Sequence, residues 1–327
     1  MKARVAIGGP HAEANPKECL TDGFDVVVTG DGENITADTF ETDGVVDLGN
    51  ELFIDEYPIP DRDLLDVRSY RYKIAGRDAT TLMTAKGCPY ACGFCAKIGN
   101  RVRYYSVDRV GQEITDLHDR WGYDALMFFD DTFIVGKERA MQICSTLRRL
   151  GMVWRCLVRG DLVVRHGQEF VNVMAKSGCV EVAIGVESAS DKILKIIHKG
   201  ESVSVIRTAI EMLRRAGIRV KGLFIVGLPG EDHDSLAKTR QFVEIVPMND
   251  ADFTVYQPYR GSPIWENRQR YDVIWSDSSL RHRHYKGRSG EYKSSVRTSA
   301  LTEIDIVKAR DDLQDLFNQT LANRSEV

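Results

Sequence analysis

Three cysteines stand close together in a chain that has only seven among its 327 residues. Cys88, Cys92 and Cys95 have the spacing Cys-x3-Cys-x2-Cys, and the glycines and proline beside them let a backbone wrap closely around a bound group. A structural zinc site needs four closed ligands, and no fourth cysteine or histidine lies nearby in sequence. A four-iron cluster normally uses four thiolates, so three would leave one iron open to a ligand from outside the protein.

The other four cysteines are scattered, and a buried thiol usually behaves as a small apolar side chain. We therefore predict that Cys19, Cys144, Cys156 and Cys179 pack in the core. A role for one of the last three as a thiol hydrogen donor is the less favoured alternative. An odd, clustered cysteine set is more typical of metal binding or catalysis than of a disulfide framework.

Charge and hydropathy restrict the classes of partner. Lys plus Arg is 44 against 48 for Asp plus Glu, which gives a formal charge of −4 and no global basic field for nucleic acid or an anionic membrane. The sequence has no apolar run of about 18 residues, and its first residues turn polar too early for a signal peptide. We predict a cytoplasmic protein without a membrane partner.

Short apolar runs alternate with amphipathic stretches from residue 80 onward. This order predicts parallel strands joined by helices, and continuous apolar runs suit strands covered on both faces. The expected fold is α/β, a partial (β/α)6 TIM-like barrel. The six runs are 80–87, 124–131, 152–161, 180–188, 219–227 and 251–258.

The runs end in polar or small residues that a barrel would bring to one rim. In β/α barrels the carboxyl ends of the strands share the edge that forms the active site. Besides the cysteine loop, the residues at these ends are Asp130, Asp131, Arg159, Glu187, Ser188, Gly227 and Gln257. Plain strand punctuation is the alternative for any single one of them.

The chain divides into three predicted regions. Residues 1–79 contain two strands that end in Gly-rich turns, followed by a polar stretch and a Pro-punctuated linker at 55–66, which together resemble half of an open α/β unit. Residues 80–262 form the barrel, and 263–327 form a C-terminal extension with a basic loop and a final helix. The N-terminal region is too small to bury its own sheet, so we expect it to pack on the barrel.

The cysteine spacing, with Phe94 before the third cysteine, resembles the radical S-adenosylmethionine (SAM) superfamily. Five further segments in the same order resemble its branch of cobalamin-linked enzymes: "FFDDTF", "WRCLVRGDLV", "IGVESASDKILKIIHKG", "GLFIVGLPGE" and "YQPYRGSPIWE". The resemblance implies an oxygen-sensitive enzyme with one [4Fe-4S] cluster that SAM chelates at its open iron. Reductive cleavage of SAM would give a 5′-deoxyadenosyl radical that abstracts hydrogen from a substrate.

The resemblance also implies roles for individual residues. It implies cluster ligation by Cys88, Cys92 and Cys95, packing near adenine by Phe94, and contact with the methionyl ammonium by Asp130 or Asp131. It also implies contact with the methionyl carboxylate by Arg159, ribose contacts by Glu187 and Ser188, and passage beneath the adenine by Ile225 and Gly227. As alternatives, Asp131, with Thr132, could cap a helix, and Arg159 could pair with Asp161 or Glu187.

The N-terminal region resembles the second half of a cobalamin-binding domain. The Asp-x-His-x-x-Gly of that family would lie before residue 1, and His11 follows the Gly-Gly pair instead of preceding it. We therefore expect a reduced packing module, with cobalamin binding less favoured. Without cobalamin, the expected reaction is epimerisation, elimination, rearrangement or dehydrogenation of a small molecule. The alternative is cobalamin-dependent methyl transfer.

A basic stretch at 278–298 bears on the substrate. It is either a solvated loop or a lid that meets phosphate or carboxylate, which would make the small molecule anionic. Tentative substrate residues are Gln257, Arg281, Arg283, Lys286 and Arg288. Flavodoxin or ferredoxin is the expected electron donor. Modification of tRNA and a zinc-stabilised binding protein are further alternatives, of which the net charge disfavours the first.

Overall fold

The structure is a computed structural model that describes residues 3–51, 53–96, 101–275 and 289–325. Its strands are β1 (Ala6–Ile7), β2 (Val26–Thr29), β3 (Gly44–Asp47), β4 (Lys73–Ile74), β5 (Arg77–Leu82), β6 (Ala85–Lys86), β7 (Arg103–Tyr104), β8 (Ala125–Phe128), β9 (Val153–Val158), β10 (Cys179–Glu187), β11 (Arg219–Val226), β12 (Asp250–Val255), β13 (Ile274–Trp275) and β14 (Val296–Arg297). Its α-helices are α1 (Pro10–Ala14), α2 (Pro16–Thr21), α3 (Val107–Asp119), α4 (Lys137–Leu150), α5 (Gly160–Lys176), α6 (Asp191–Ile196), α7 (Val203–Arg215), α8 (His233–Ile245), α9 (Pro263–Glu266) and α10 (Glu303–Ser325).

The main sheet has the strand order β12-β11-β10-β9-β8-β5-β4. The six strands from β5 to β12 pair in parallel, and β4 adds an antiparallel edge beside β5. Parallel neighbours that follow one another along the chain need crossover connections, which the helices supply. The six predicted apolar runs therefore form the strands of a curled, partial barrel, and the predicted α/β fold is confirmed.

One face of the sheet is apolar and deeply buried. Phe128 stacks on Phe133 with ring centroids 4.3 Å apart, and both rings contact Trp154. On the other face, alternate residues carry charge: Arg155 pairs with Glu181 across neighbouring strands at 3.1 Å. Strand residues alternate between the two faces, so the same strands that build the core also line the opposite, partly exposed surface.

A separate three-stranded parallel sheet, in the order β1-β2-β3, forms the N-terminal region. The sequence predicts β1 and β2 but not β3, which lies in the segment read as polar and weakly patterned. β3 is an edge strand with alternating exposure, so it has no apolar run, and its identity comes from its pairing with β2. The sheet contacts the barrel through ion pairs between Glu18 and Arg260 and between Asp31 and Lys86.

The C-terminal helix α10 packs against the last strands of the barrel. Ile306, Leu313 and Phe317 are buried, and Arg310 donates a hydrogen bond of 2.8 Å to the carbonyl oxygen of Phe253. Within the described ranges, no helix combines the length and apolar character that a bilayer crossing would need.

Candidate active site

The cysteine loop is the connection of a β-hairpin that projects after the first barrel strand. β6 pairs antiparallel with β7, and Lys86 lies opposite Arg103 at the end of the hairpin. Two backbone bonds hold the middle of the loop. The Gly93 N–H donates to the Ile197 carbonyl oxygen at 2.7 Å, and the Gly93 carbonyl accepts from the Ile264 N–H at 2.9 Å. The loop is therefore fixed at its stem and at its centre.

Gly93 is required by close packing. A Cβ at this position would lie 3.1 Å from a side-chain carbon of Ile264 and 3.3 Å from the Ile197 carbonyl oxygen. Both distances are shorter than ordinary van der Waals contact, and one of the two neighbours is backbone. A side chain here would push the loop away from the segment that follows α6.

The three loop cysteines are of intermediate exposure. Cys92 accepts a hydrogen bond from Nη1 of Arg159 at 3.4 Å. Burial raises the pKa of Cys92, while the positive charges of Lys199 and Arg159 oppose that effect and favour the thiolate. Thiolate is the form that ligates iron, so this donor set suits an iron–sulfur cluster. In the described part of the chain, no three His, Cys, Asp or Glu side chains are grouped as a site for a metal ion.

Arg159 lies at the end of β9, as the sequence predicts, and is almost completely buried. It bonds Asp161 at 3.0 Å and pairs with Glu201 at 3.4 Å. Its guanidinium also donates to the Lys199 carbonyl oxygen at 2.6 Å and lies 3.7 Å from the centre of the Tyr90 ring. Of the predicted rival partners, it pairs with Asp161. Contact between Arg159 and the methionyl carboxylate stays a prediction. The guanidinium already has several partners within the protein.

Glu187 forms a buried ion pair with Lys199, with 2.8 Å between Oε1 and Nζ. Lys199 is therefore the partner of this buried carboxylate, and the sequence pattern does not predict that pair. Burial would lower the pKa of Lys199, but the charges of Glu187 and Glu201 raise it above its usual value. Glu187 has a positive φ of 61°, so the strand turns sharply just where this side chain is presented.

The two aspartates at the end of β8 differ in their surroundings. Asp130 is buried and accepts hydrogen bonds from the backbone N–H and the hydroxyl of Thr84, each at 2.5 Å, and from the Ala85 N–H at 3.2 Å. Its contacts therefore hold the start of the hairpin. Asp131 is exposed, and the contact with the methionyl ammonium stays a prediction that now favours Asp131.

The alternative that Asp131 and Thr132 cap a helix is wrong. The following helix α4 begins only at Lys137, with Gly136 at its N-cap.

The turn after β11 is built around a buried carboxylate. Gly227, with φ of 91°, donates its N–H to Oε2 of Glu231 at 2.6 Å. Burial raises the pKa of Glu231 to about 8, although hydrogen bonds from the Gly227 and Leu228 backbone oppose that shift. A Cβ on Gly227 would lie 2.9 Å from the side chain of Ile306. Glu231 closes the segment "GLFIVGLPGE", but nothing in the sequence pattern singles it out, because its partners are backbone amides of the turn itself.

The remaining predicted residues occupy varied environments. Ser188 is completely buried, and its hydroxyl has no hydrogen-bond partner among the residues that the structure describes. Phe94 and Ile225 are partly buried and pack against the main core. Gln257 accepts a hydrogen bond from the Ser295 hydroxyl at 3.4 Å. Arg281, Arg283, Lys286 and Arg288 lie outside the described residues.

The four scattered cysteines are buried, which confirms the prediction of core packing. Cys144, Cys156 and Cys179 belong to the main hydrophobic core. Burial raises the pKa of Cys144 to about 11, so this thiol stays protonated at neutral pH.

Comparison with protein families supports the chemistry that these residues indicate. The family model described as the radical SAM superfamily matches residues 82–243. An uncharacterized methyltransferase of Pyrococcus horikoshii is 32% identical over 319 residues, which cover 85% of this chain and 68% of that protein. The cytidylyl-2-hydroxyethylphosphonate methyltransferase of Streptomyces wedmorensis is 26% identical and is covered over 64% of its length, against 87% of this chain.

Two solved structures share the fold. The radical SAM methyltransferase TsrM from Kitasatospora setae, with tryptophan and a SAM analogue bound, superposes with a TM-score of 0.59 at 16% identity, over 82% of this chain and 58% of that one. The cobalamin-dependent SAM radical enzyme OxsB gives a TM-score of 0.59 at 17% identity, over 98% of this chain and 44% of that one. The family match and the 32% identical relative together show that this chain belongs to the radical SAM superfamily and is an enzyme of that class.

Proposed function

We propose that the protein is a cobalamin-dependent radical SAM methyltransferase. The observation that carries the proposal is the relative of 32% identity, which covers 85% of this chain and is itself named a methyltransferase. The sequence alone favours hydrogen abstraction without cobalamin, and the comparisons weigh against that preference. Cyclases of magnesium-protoporphyrin monomethyl ester are also among the relatives, so a different radical reaction is the second candidate.

The N-terminal sheet supports a cobalamin site. Its strands end in glycines at one edge: Gly8 and Gly9 after β1, Gly30 after β2 and Gly49 after β3. In open parallel sheets, ligands bind outside the carboxyl ends of the strands. A Cβ on Gly9 or Gly49 would meet nothing within 4 Å, so there is open space beside these two glycines, whereas a Cβ on Gly30 would clash with the Gly49 carbonyl oxygen. A nucleotide-like tail suits such an edge, because glycines permit close approach.

Residues at the carboxyl ends of the barrel strands would have different roles. When bound, the iron–sulfur cluster, SAM and cobalamin supply reductive cleavage and methyl transfer. Cys88, Cys92 and Cys95 would hold the cluster, and the positive charge of Arg159 would favour the thiolate form of Cys92 against the effect of its burial. Glu187, oriented by Lys199, would accept hydrogen bonds from the SAM ribose.

The substrate and the electron donor stay proposals. The substrate would be a small molecule that meets residues from separate strand ends, and an electron donor such as flavodoxin or ferredoxin would supply electrons.

Retention of cobalamin tests the proposal directly. The purified chain is reconstituted with iron and sulfide under anaerobic conditions, incubated with hydroxocobalamin and desalted. We expect a stoichiometric amount of cobalamin to remain bound, measured by its absorbance. Addition of SAM and reductant should then form S-adenosylhomocysteine. Retention of no cobalamin, together with deoxyadenosine as the sole SAM product, would refute methyl transfer in favour of hydrogen abstraction.

A matched pair of glycine variants locates the site. Gly9→Val places a side chain at the open edge, and we expect it to lose cobalamin. Gly23→Val is the control, because Gly23 also has a positive φ and open surroundings but lies before β2, at the other end of the strand. Equal cobalamin retention by the two variants would remove the glycine edge as the binding site.

A further inference from the structure

Asp31, in the N-terminal region, forms ion pairs with both strands of the hairpin that carries the cysteine loop. Asp31 lies in the turn after β2, directly beside Gly30. Its Oδ1 atom is 3.2 Å from Nζ of Lys86 and 3.0 Å from Nη2 of Arg103, and its Oδ2 atom accepts a second, shorter bond from Arg103. Lys86 and Arg103 are paired residues of β6 and β7. The contact therefore falls on the stem of the loop, two residues before Cys88.

Asp31 is itself held in place from its own side. The Tyr57 hydroxyl donates to Oδ2 at 2.8 Å, and the Glu51 N–H donates to the same atom at 3.2 Å. The Asp31 N–H donates to the Gly49 carbonyl oxygen at 2.8 Å. These bonds join the turns after β2 and β3 into one rigid edge, so Asp31 transmits the position of that edge to the hairpin.

The cluster of charges is shielded from solvent, which makes it a strong constraint. The side chains of Asp31, Lys86 and Arg103 are 5%, 16% and 12% exposed. Burial alone would raise the pKa of Asp31. Hydrogen bonds from Arg103 and Tyr57 and the positive charge of Lys86 outweigh burial and lower this pKa to about 2. Loss of Asp31 would remove the carboxylate that pairs with the buried Arg103, which is costly in a poorly solvated site, whereas Lys86 would keep its ion pair with Glu33 at 2.6 Å.

We propose that Asp31 is a positioning residue that fixes the cysteine loop from the N-terminal region. This role differs from that of a packing module, because it sets the geometry of the predicted cluster ligands. It rests on the proposed function only in placing the iron–sulfur cluster on Cys88, Cys92 and Cys95. Asp31 then joins the turns at the glycine edge to the stem of the cysteine loop.

The chain offers a matched control for the docking of the two regions. Glu18 in α2 forms an ion pair with Arg260, which follows β12, the strand at one edge of the main sheet. This pair also joins the N-terminal region to the barrel, but neither residue belongs to the hairpin. A general loosening of the interface would appear in both variants, whereas a specific effect on the loop would appear only in the Asp31 variant.

Hydrogen–deuterium exchange on the full chain, without cobalamin or SAM, tests the proposal. In Asp31→Asn we expect the backbone amides of 84–95 and 103–105 to exchange at least about tenfold faster than in the wild type. In Glu18→Gln, exchange there should be unchanged. The amides of β9 and β10 report whether each variant is folded. If Asp31→Asn does not fold, Arg103→Gln removes the same pair from the hairpin side and carries the same expectation.

A spectroscopic measurement separates positioning from stability. After anaerobic reconstitution, the electron paramagnetic resonance signal of the reduced cluster should be altered in Asp31→Asn and restored in Asp31→Glu, which keeps the charge. Unchanged exchange of the hairpin amides and an unchanged cluster signal in Asp31→Asn would overturn the proposal. Neither measurement needs cobalamin or a methyl acceptor. If the proposed methyl transfer is wrong, the exchange rates and the cluster signal therefore still test the role of Asp31.

Discussion

At the scale of single residues, Arg159 is the clearest link between the barrel and the cysteine loop. It donates to the Cys92 sulfur and is held by carboxylates on Asp161 and Glu201. Hydrogen bonds and positive charge near a cluster sulfur stabilise the reduced cluster, because reduction adds negative charge.

We therefore expect Arg159→Gln to lower the midpoint potential of the reconstituted cluster by on the order of 50 mV. A redox titration followed by electron paramagnetic resonance measures it. Arg165→Gln is the control, since Arg165 pairs with Asp161 from an exposed position. Equal potentials in the wild type and both variants would show that Arg159 does not act on the cluster.

Glu231 predicts a pH dependence of stability. Its folded pKa of about 8 lies above the ordinary carboxyl value, because burial disfavours the charged form. The unfolded chain ionises this group near its ordinary pKa, whereas the folded chain keeps it protonated until pH approaches 8. The contribution to stability is therefore complete below the unfolded pKa and is lost as pH rises toward the folded pKa.

We expect the free energy of unfolding of the wild type to fall, relative to Glu231→Gln, by up to about 4 kcal/mol between pH 4 and pH 8. Urea denaturation of both proteins at several pH values measures the difference. A constant difference across that range would mean that Glu231 is ionised in the folded protein.

The sequence could predict the cysteine triad but not its electrostatic surroundings. Spacing within one loop identifies Cys88, Cys92 and Cys95 as a set, whereas Lys199 reaches Glu187 only because the chain turns after α6. The partner of Asp130 is even more distant, since Thr84 lies on another strand end. Pairs of this kind are set by the curvature of the sheet, which a local pattern does not record.

At the scale of elements, the cysteine loop depends on two close backbone contacts. Gly93 makes both, and a methyl group there would meet Ile264 and the Ile197 carbonyl. Gly93→Ala should therefore displace the loop and reduce iron retained after reconstitution, at a cost of about 1 to 3 kcal/mol in stability.

The measurement is iron per chain together with thermal unfolding, and Gly111→Ala is the control. Gly111 lies inside α3, where a Cβ meets only Thr146 at 3.7 Å, so alanine should stabilise that helix by about 1 kcal/mol. Full iron retention in Gly93→Ala would show that the loop tolerates a shift.

Strands and helices are predicted correctly from the sequence where the apolar pattern is long. All six barrel strands follow from their runs, and α7 (Val203–Arg215) is one of the amphipathic stretches that alternate with those runs. The sequence does not predict β3, because an exposed edge strand needs few apolar residues. The start of α4 at Lys137 is also not evident, since the residues after Asp131 contain no strong capping signal.

At the scale of the whole molecule, the curled sheet brings separate strand ends to one rim, and the N-terminal sheet docks beside it. The order of the strands follows from the sequence, whereas the contact between Asp31 and the hairpin does not, because it joins two elements with no shared pattern. The preference for a reaction without cobalamin rested on an absent histidine motif. Similarity to named methyltransferases over most of the chain outweighs it.

The central claim is that Cys88, Cys92 and Cys95 hold an iron–sulfur cluster with one iron open to SAM. The most direct measurement is the electron paramagnetic resonance spectrum of the anaerobically reconstituted, reduced chain before and after addition of SAM, with Cys92→Ala as the control. We predict a reduced-cluster signal that SAM changes in the wild type and that is lost in the variant. A wild-type sample that gives no cluster signal, or a signal that SAM leaves unchanged, would contradict the claim.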